Sequence, residues 1–115
     1  MTCLTISITD NNFNKYLNML ENEEEKNEIL WKDQYSKNLK KDDWIFFVSY
    51  KKTIRIHRVK EIREENILLK NCLGEMYWRD WDYIINGKSN YFKEGSYLLN
   101  EIKSRTIINI IESKI

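Results

Sequence analysis

Apolar and polar residues alternate along several short segments of this chain, and this spacing predicts β-strands joined by tight turns. Residues 3–9 have one apolar face, whereas residues 44–50 are apolar on both faces over most of their length, as expected for a strand inside a sheet. The predicted strands are 3–9, 44–50, 53–62, 67–72, 76–85 and 88–92. Asn86 and Gly87, between the last two, form the strongest hairpin signal in the chain.

The third of these strands changes phase along its length. Ile54 and Ile56 share one face, whereas Val59 and Ile62 each follow after an interval of three residues. One extra residue in a strand produces such a change of phase, so the spacing predicts a β-bulge near residues 57–58.

Two segments have helical spacing instead. Phe13, Tyr16, Leu17 and Leu20 predict an amphipathic N-terminal helix of about three turns, and the spacing from Ser96 onwards predicts a C-terminal helix. Elements in this order predict an α+β fold. We expect a small bent antiparallel β-barrel or curled sheet with an N-terminal and a C-terminal helix, formed by residues 1–115 as one domain.

The composition limits the class of protein. Hydrophobic residues make up 42% of the 115 residues and aromatic residues 13%, which excludes a disordered chain. Cys3 and Cys72, without a secretory leader, are typical of free thiols in a reducing, cytoplasmic compartment. Because His57 is the only histidine, neither a metal site nor another cofactor is expected. No apolar run approaches the ~18 residues of a membrane span, so no membrane partner is expected either.

The net charge of +1 hides an uneven distribution. Residues 31–70 carry eleven basic and six acidic side chains, and the excess is concentrated in Lys51–Arg63, whose one acidic residue is Glu61. Cations on one hairpin are suited to contacting the phosphates of a nucleic acid. Lys and Arg are also common on the solvated face of an edge strand, and this alternative stays open. The candidate phosphate-binding residues are Lys51, Lys52, Arg55, Arg58, Lys60 and Arg63.

Particular segments carry a resemblance to a known group of small barrels. A lone Trp31 follows the predicted N-terminal helix, the run LKKDDWIFFV begins the next strand, and IHRVKEI and YWRDWDYII come later. In these segments the chain resembles the PUA-like barrels, especially EVE domains and the DNA-reading modules of modification-dependent restriction systems. Asp42 stands where that group usually has Gly. The resemblance implies a binding module, with basic residues on the phosphates and a flipped or modified base in an aromatic-walled pocket.

The longest predicted strand contains the candidates for such a pocket. Trp78 and Trp81 lie on opposite faces of it, so at most one points inward and the other is a candidate for stacking on a base. Arg79 and Asp80 lie beside them, and a guanidinium and a carboxylate can both read base edges. Structural aromatic residues with solvent-facing charges remain the alternative. Trp44, by contrast, is predicted to belong to the core.

No catalytic motif stands out, and His57 is not expected to be catalytic. Asp82 followed by Glu101 and Lys103 fits the D…ExK spacing of metal-dependent nucleases, but that chemistry uses a strand where a helix is predicted. The leading prediction is therefore a non-enzymatic module that binds DNA or RNA. The alternative is a small inhibitor of phage, viral or mobile-element type that binds a host protein, with the acidic stretch Glu21–Glu28 as one possible docking segment.

Overall fold

The computed structural model describes residues 1–8, 14–18, 29–49, 54–70, 72–76 and 95–114. The strands in these ranges are β1 Cys3–Ile8, β2 Ile29–Lys32, β3 Trp44–Ser49, β4 Ile54–Arg63, β5 Asn66–Leu69, β6 Gly74–Met76 and β7 Gly95–Leu98. Residues 14–18 form a short helix, α1, and Glu101–Lys114 form the C-terminal helix, α2. A 3₁₀ turn at Ser36–Asn38 lies between β2 and β3.

The strands form one curled sheet in the order β2-β5-β4-β3-β1-β7, and β6 pairs with the first half of β4. The described strand pairs are antiparallel, apart from β1 and β3, which run parallel with α1 and β2 in the connection between them. The predicted α+β fold, a curled sheet with a helix near each end of the chain, is confirmed.

β4 holds the sheet together because it pairs with three strands. Its first half lies between β3 and β6, and its second half pairs with β5. The register with β5 shifts between Val59 and Glu61, so Lys60 is the extra residue. The predicted bulge is therefore present, but it lies two residues beyond 57–58, where the pairing with β3 is still regular.

The sheet is buried on both faces, and each face has its own hydrophobic cluster. The cluster on the α2 side contains Cys3, Trp44, Phe46, Val48, Ile54, Ile56, Ile107 and Ile111. The cluster on the α1 side contains Leu4, Ile6, Ile8, Tyr16, Leu39, Ile45, Phe47, Val59, Ile67 and Leu69. Burial on both faces explains why β3 is apolar from residue 44 to residue 48. Trp44 is 4% exposed, which confirms its predicted place in the core.

The two ends of the sheet approach each other. Asp33 directly follows β2, the first strand in the sheet order, and Ser96 lies in β7, the last. The Ser96 hydroxyl donates a hydrogen bond to Oδ2 of Asp33. A sheet whose outer strands meet in this way is curled into a half-barrel. The fully buried Tyr16 of α1 packs on the enclosed face, in the cluster that also receives Trp31 of β2 and Leu98 of β7.

The prediction of a helix from Ser96 onwards is wrong for its first residues, since Gly95–Leu98 form β7. Leu98 pairs with Leu4 of β1, and the helix begins only at Glu101. The boundary is set by Asn100, whose side-chain oxygen accepts a hydrogen bond from the backbone N–H of Lys103 at 2.8 Å. That bond is the N-cap interaction that fixes the first turn of a helix.

The predicted hairpin at Asn86–Gly87, the strand 88–92 and most of the strand 76–85 lie outside the described residues. Among the residues that are described, no helix is long and apolar enough to cross a membrane.

Candidate nucleic-acid interface

The basic residues of β4 do not form one row. Arg55 shares the face of the buried His57, whereas Arg58 lies on the opposite face, over the Trp44 ring. Lys60, in the bulge, and Arg63, beyond it, are exposed. The other two candidates from the same sequence segment, residues 51 and 52, lie outside the described part of the chain.

Arg58 ties β4 to the turn at residues 40–43. Its Nε and Nη2 donate hydrogen bonds to the backbone carbonyl of Asp42 at 3.1 and 2.8 Å. Its guanidinium carbon lies 4.5 Å from the centre of the Trp44 ring, and Nη2 is 3.6 Å from Sδ of Met1. Arg58 therefore braces the surface while adding positive charge to it.

Two aspartates shape the same turn. Asp43 is 1% exposed, and its carboxylate accepts hydrogen bonds from the backbone N–H groups of Thr2 and Lys40 at 3.1 and 2.8 Å. Asp42 has a φ of 73°, in the left-handed region that favours glycine, and its carboxylate receives the Lys70 ammonium at 2.8 Å. The hydrogen bond from Lys70 lowers the pKa of Asp42, so this carboxylate stays charged.

Backbone hydrogen bonds join this turn to the bulge of β4. The Asp42 N–H donates to the Val59 carbonyl at 2.8 Å, and the Val59 N–H donates to the Asp43 carbonyl at 2.8 Å. Lys41 precedes Asp42 and Lys60 follows Val59, so the two lysines lie on neighbouring chain segments. We call the surface formed by residues 40–43, residues 58–63 and Lys70 the bulge rim.

The bulge rim is strongly basic. It carries six basic side chains against three acidic ones. Each acid is already engaged, because Asp42 pairs with Lys70, Asp43 accepts two backbone bonds, and Glu61 lies 3.0 Å from Arg63. The side chains of Lys40, Lys41 and Lys60 are exposed at this surface.

Lys40 and Lys41 are not among the residues that the sequence picks out as phosphate contacts. The sequence does show two adjacent lysines at a turn, but this is only a weak indication of a phosphate-binding site. What it does not show is the pair of hydrogen bonds between the turn and Val59, which depends on residues far apart in the chain.

His57 is a buried part of the fold. It is 0% exposed, and its Nδ1 lies 2.7 Å from the Lys70 carbonyl, which can only accept. Nδ1 therefore carries the proton, and Nε2 accepts a hydrogen bond from the Tyr16 hydroxyl at 2.6 Å. Burial lowers the pKa of His57 to about 4, so the ring is neutral at physiological pH.

The thiol of Cys3 is buried as well. Burial raises the pKa of the Cys3 thiol to about 11, against a weaker opposing hydrogen bond from Ser104. Among the described residues, no group of three or more His, Cys, Asp or Glu side chains is placed to hold a metal ion. Glu101 opens α2, in line with the helix predicted there, whereas residue 82 of the nuclease-like pattern lies outside the described part.

The four residues of the predicted base pocket, Trp78, Arg79, Asp80 and Trp81, also lie outside the described residues.

Aromatic rings within the described part of the chain pack together inside the half-barrel. Tyr16 stacks on Phe47 with ring centres 4.4 Å apart, and the edge of Trp31 meets Phe47 at 4.9 Å. Trp31 is half-buried, and Nζ of Lys15 lies 5.6 Å from its ring centre.

No protein-family model matches this chain, and neither a curated protein nor a solved structure matches it.

Proposed function

We propose that this domain is a non-enzymatic nucleic-acid-binding module whose phosphate contacts centre on the bulge rim. The observation that carries the proposal is the pair of hydrogen bonds between Val59 and the 42–43 turn, which joins the segments that carry the exposed residues Lys41 and Lys60. The rim carries six basic side chains against three acidic ones, and each of the three acids already has a partner within the protein, so the surface has a net positive charge that favours a polyanion.

Phosphate binding needs charge more than a particular geometry. Lysines on a surface attract the nucleic-acid backbone and release its counterions, which gives affinity without sequence information. Three of the residues picked out from the sequence lie in the rim, namely Arg58, Lys60 and Arg63. Arg55 lies on the other face of β4, and Lys51 and Lys52 complete the proposed set.

Base reading remains part of the proposal through Trp78, Arg79, Asp80 and Trp81. The resemblance of the sequence to PUA-like base-reading modules supports it.

Fluorescence polarisation with labelled single- and double-stranded DNA and RNA, with and without methylated bases, tests the proposal. The double variant Lys41→Gln, Lys60→Gln removes two charges from the rim without removing a buried side chain. We expect it to lower affinity at low salt about tenfold or more, and to flatten the log–log salt slope on duplex DNA by roughly 1.8, since each phosphate contact contributes about 0.9.

The charge-matched control is Lys103→Gln, Arg105→Gln on α2, which we expect to change affinity little. Equal losses in both double variants would mean that only net charge matters and would contradict a localised interface. An absence of binding to every probe at micromolar protein would overturn the proposal. The search would then turn to a host protein partner, by pull-down.

A further inference from the structure

A pocket of about 440 Å³ opens where the chain leaves β2. Its volume lies in the range of small-ligand sites, which is roughly 300–1,000 Å³. The residues that line it are Lys32, Asp33, Gln34, Ser36, Lys37 and Glu65. None of them belongs to the candidate sites that the sequence predicts.

Three of the wall residues are held in place by hydrogen bonds. Oδ1 of Asp33 accepts from the backbone N–H of Tyr35 at 2.9 Å, and Oδ2 accepts from Ser96. The Ser36 hydroxyl donates to the Glu64 carbonyl at 2.9 Å, and the Asp33 N–H donates to the Glu65 carbonyl at 3.0 Å. The pocket is thus preformed by contacts that join the 33–36 segment to the turn after β4.

Other lining groups are available to a ligand. In the part of the chain that the structure describes, neither the Lys37 ammonium nor the side-chain amide of Gln34 makes a hydrogen bond or an ion pair. Lys32 pairs with Glu65 at 3.2 Å, but both side chains are largely exposed, at 74% and 66%, so the pair is easily exchanged for a ligand contact.

The mixture of groups indicates what kind of ligand fits. A simple anion would meet the carboxylate of Asp33 as well as the lysines, which is unfavourable. A nucleotide offers a phosphate to Lys37 and the edge of a base to Gln34 and Asp33. An amide can bind a base edge through two hydrogen bonds, and each Asp33 oxygen keeps one lone pair for an exocyclic amine.

We propose that this pocket holds one nucleotide of the strand that runs over the bulge rim. The inference rests on the proposed function and adds to it a place where base identity is read. Lys37 lies three residues before Lys40 of the rim, a separation of at most ~10 Å along the chain. Leu39 between them is 7% exposed, which anchors the connecting segment to the α1-side cluster.

Titration of the isotopically labelled protein with AMP, CMP, GMP, UMP or inorganic phosphate, followed by amide NMR, tests the pocket directly. We expect the backbone amide signals of Gln34 and Lys37 to change their chemical shifts with at least one nucleotide, and to change much less with phosphate. Lys37→Gln should weaken that nucleotide about tenfold, as expected for the loss of one charge-assisted hydrogen bond. The control Lys103→Gln on α2, with the same change of charge, should leave mononucleotide binding unchanged.

Oligonucleotide binding by Lys37→Gln and by Lys41→Gln separates this inference from the proposed function. Lys41→Gln should weaken single-stranded oligonucleotides of any sequence, whereas Lys37→Gln should also reduce the preference among homopolymers. Oligonucleotide binding that does not depend on Lys37 would overturn the pocket and leave the proposed function standing. Mononucleotide binding at the pocket without any oligonucleotide binding would overturn the proposed function, and with it the place of the pocket on a bound strand, and would leave a site for free nucleotides. Chemical-shift changes of equal size with phosphate and with nucleotides would mean that the pocket binds only an anion, and would overturn base reading there.

Discussion

His57 lies in a chain of hydrogen bonds that connects the core with the bulge rim. Its ring accepts from Tyr16 of α1 and donates to the backbone of Lys70, and the Lys70 ammonium reaches Asp42 at 2.8 Å. Buried polar groups satisfied on all sides tend to specify one arrangement of the elements that supply them. Here this series of hydrogen bonds fixes α1, β4 and the 40–43 turn relative to one another.

Acidification is expected to destabilise the fold through His57 between pH 6.5 and about 4. Burial is the largest cause of the shift of its pKa from 6.5 to about 4; the hydrogen bond to the Lys70 carbonyl opposes the shift, and the charge of Arg55 makes a smaller contribution in the same direction as burial. In this window the unfolded chain binds a proton that the folded chain does not, so stability rises with pH and is lost as the pH falls. The full effect is on the order of 3 kcal/mol.

Urea unfolding at a series of pH values spanning this window measures the effect. The stability advantage of the wild type over His57→Gln should shrink as the pH falls, because glutamine does not titrate. As a control, Tyr16→Phe removes only a hydroxyl and should cost about 1–3 kcal/mol at neutral pH while the pH dependence persists. A wild-type advantage over His57→Gln that is constant with pH would contradict the assignment.

At the scale of elements, α2 covers one face of the sheet, and its position depends on where it begins. Ile107 and Ile111 pack in the cluster that contains Cys3 and Trp44. Asn100 caps the helix through the bond from its side-chain oxygen to the N–H of Lys103. The cap marks the boundary between β7 and α2. Residues before it pair with β1, and apolar residues after it pack on the sheet from α2.

Asn100→Ala is expected to lower the free energy of unfolding by about 1 kcal/mol, since alanine cannot accept the bond from the first turn. Asn109→Ala, an exposed position inside the same helix, is the matched control and should be neutral or slightly stabilising. Thermal or urea unfolding of the two variants provides the measurement. A loss of the same size at both positions would show that Asn100 does not act as a cap.

The error at residues 96–98 shows where sequence spacing becomes ambiguous. Leu98, Leu99 and Ile102 have helical spacing, although Leu98 belongs to a strand and Ile102 is 77% exposed. A better guide was Asn100 followed by Glu101, because a capping residue followed by an acid in the first turn is typical of a helix start. β3 and the bulge of β4 were predictable because the burial of both faces, and the change of phase, are local patterns.

For the molecule as a whole, the features that define the candidate sites come from contacts between distant residues. The parallel pairing of β1 with β3 and the bonds between the 42–43 turn and Val59 leave no periodic trace in the sequence. The sequence does indicate a basic middle segment, but Lys40 and Lys41 are not among the phosphate contacts predicted from it, because Lys60, which lies on the neighbouring segment, follows long after them in the chain. The pocket beside Lys37 was missed for a similar reason, since it needs the 64–65 turn to form a wall.

Closure of the half-barrel depends in part on Ser96. Ser96→Ala should cost about 1 kcal/mol, because the Asp33 carboxylate loses one of the two hydrogen bonds that it accepts at a partly buried site. Amide hydrogen exchange in β7 should become faster, since this outer strand loses its link to the other end of the sheet. Ser113→Ala on the exposed face of α2 is the control, and exchange in β7 that is equally slow in both variants would contradict the role given to Ser96.

The place of β1 in the sheet has a consequence for biosynthesis. Trp44 lies opposite Cys3 on one side of β1, and Leu98 lies opposite Leu4 on the other. β1 therefore acquires its second neighbour only after residue 98 has been made. Until then this strand, which has one apolar face, has at least one open edge, and such a segment is one that chaperones bind and that aggregates when they do not. Contacts so distant in sequence also place spontaneous folding among the slower small domains, on a scale of roughly milliseconds to seconds.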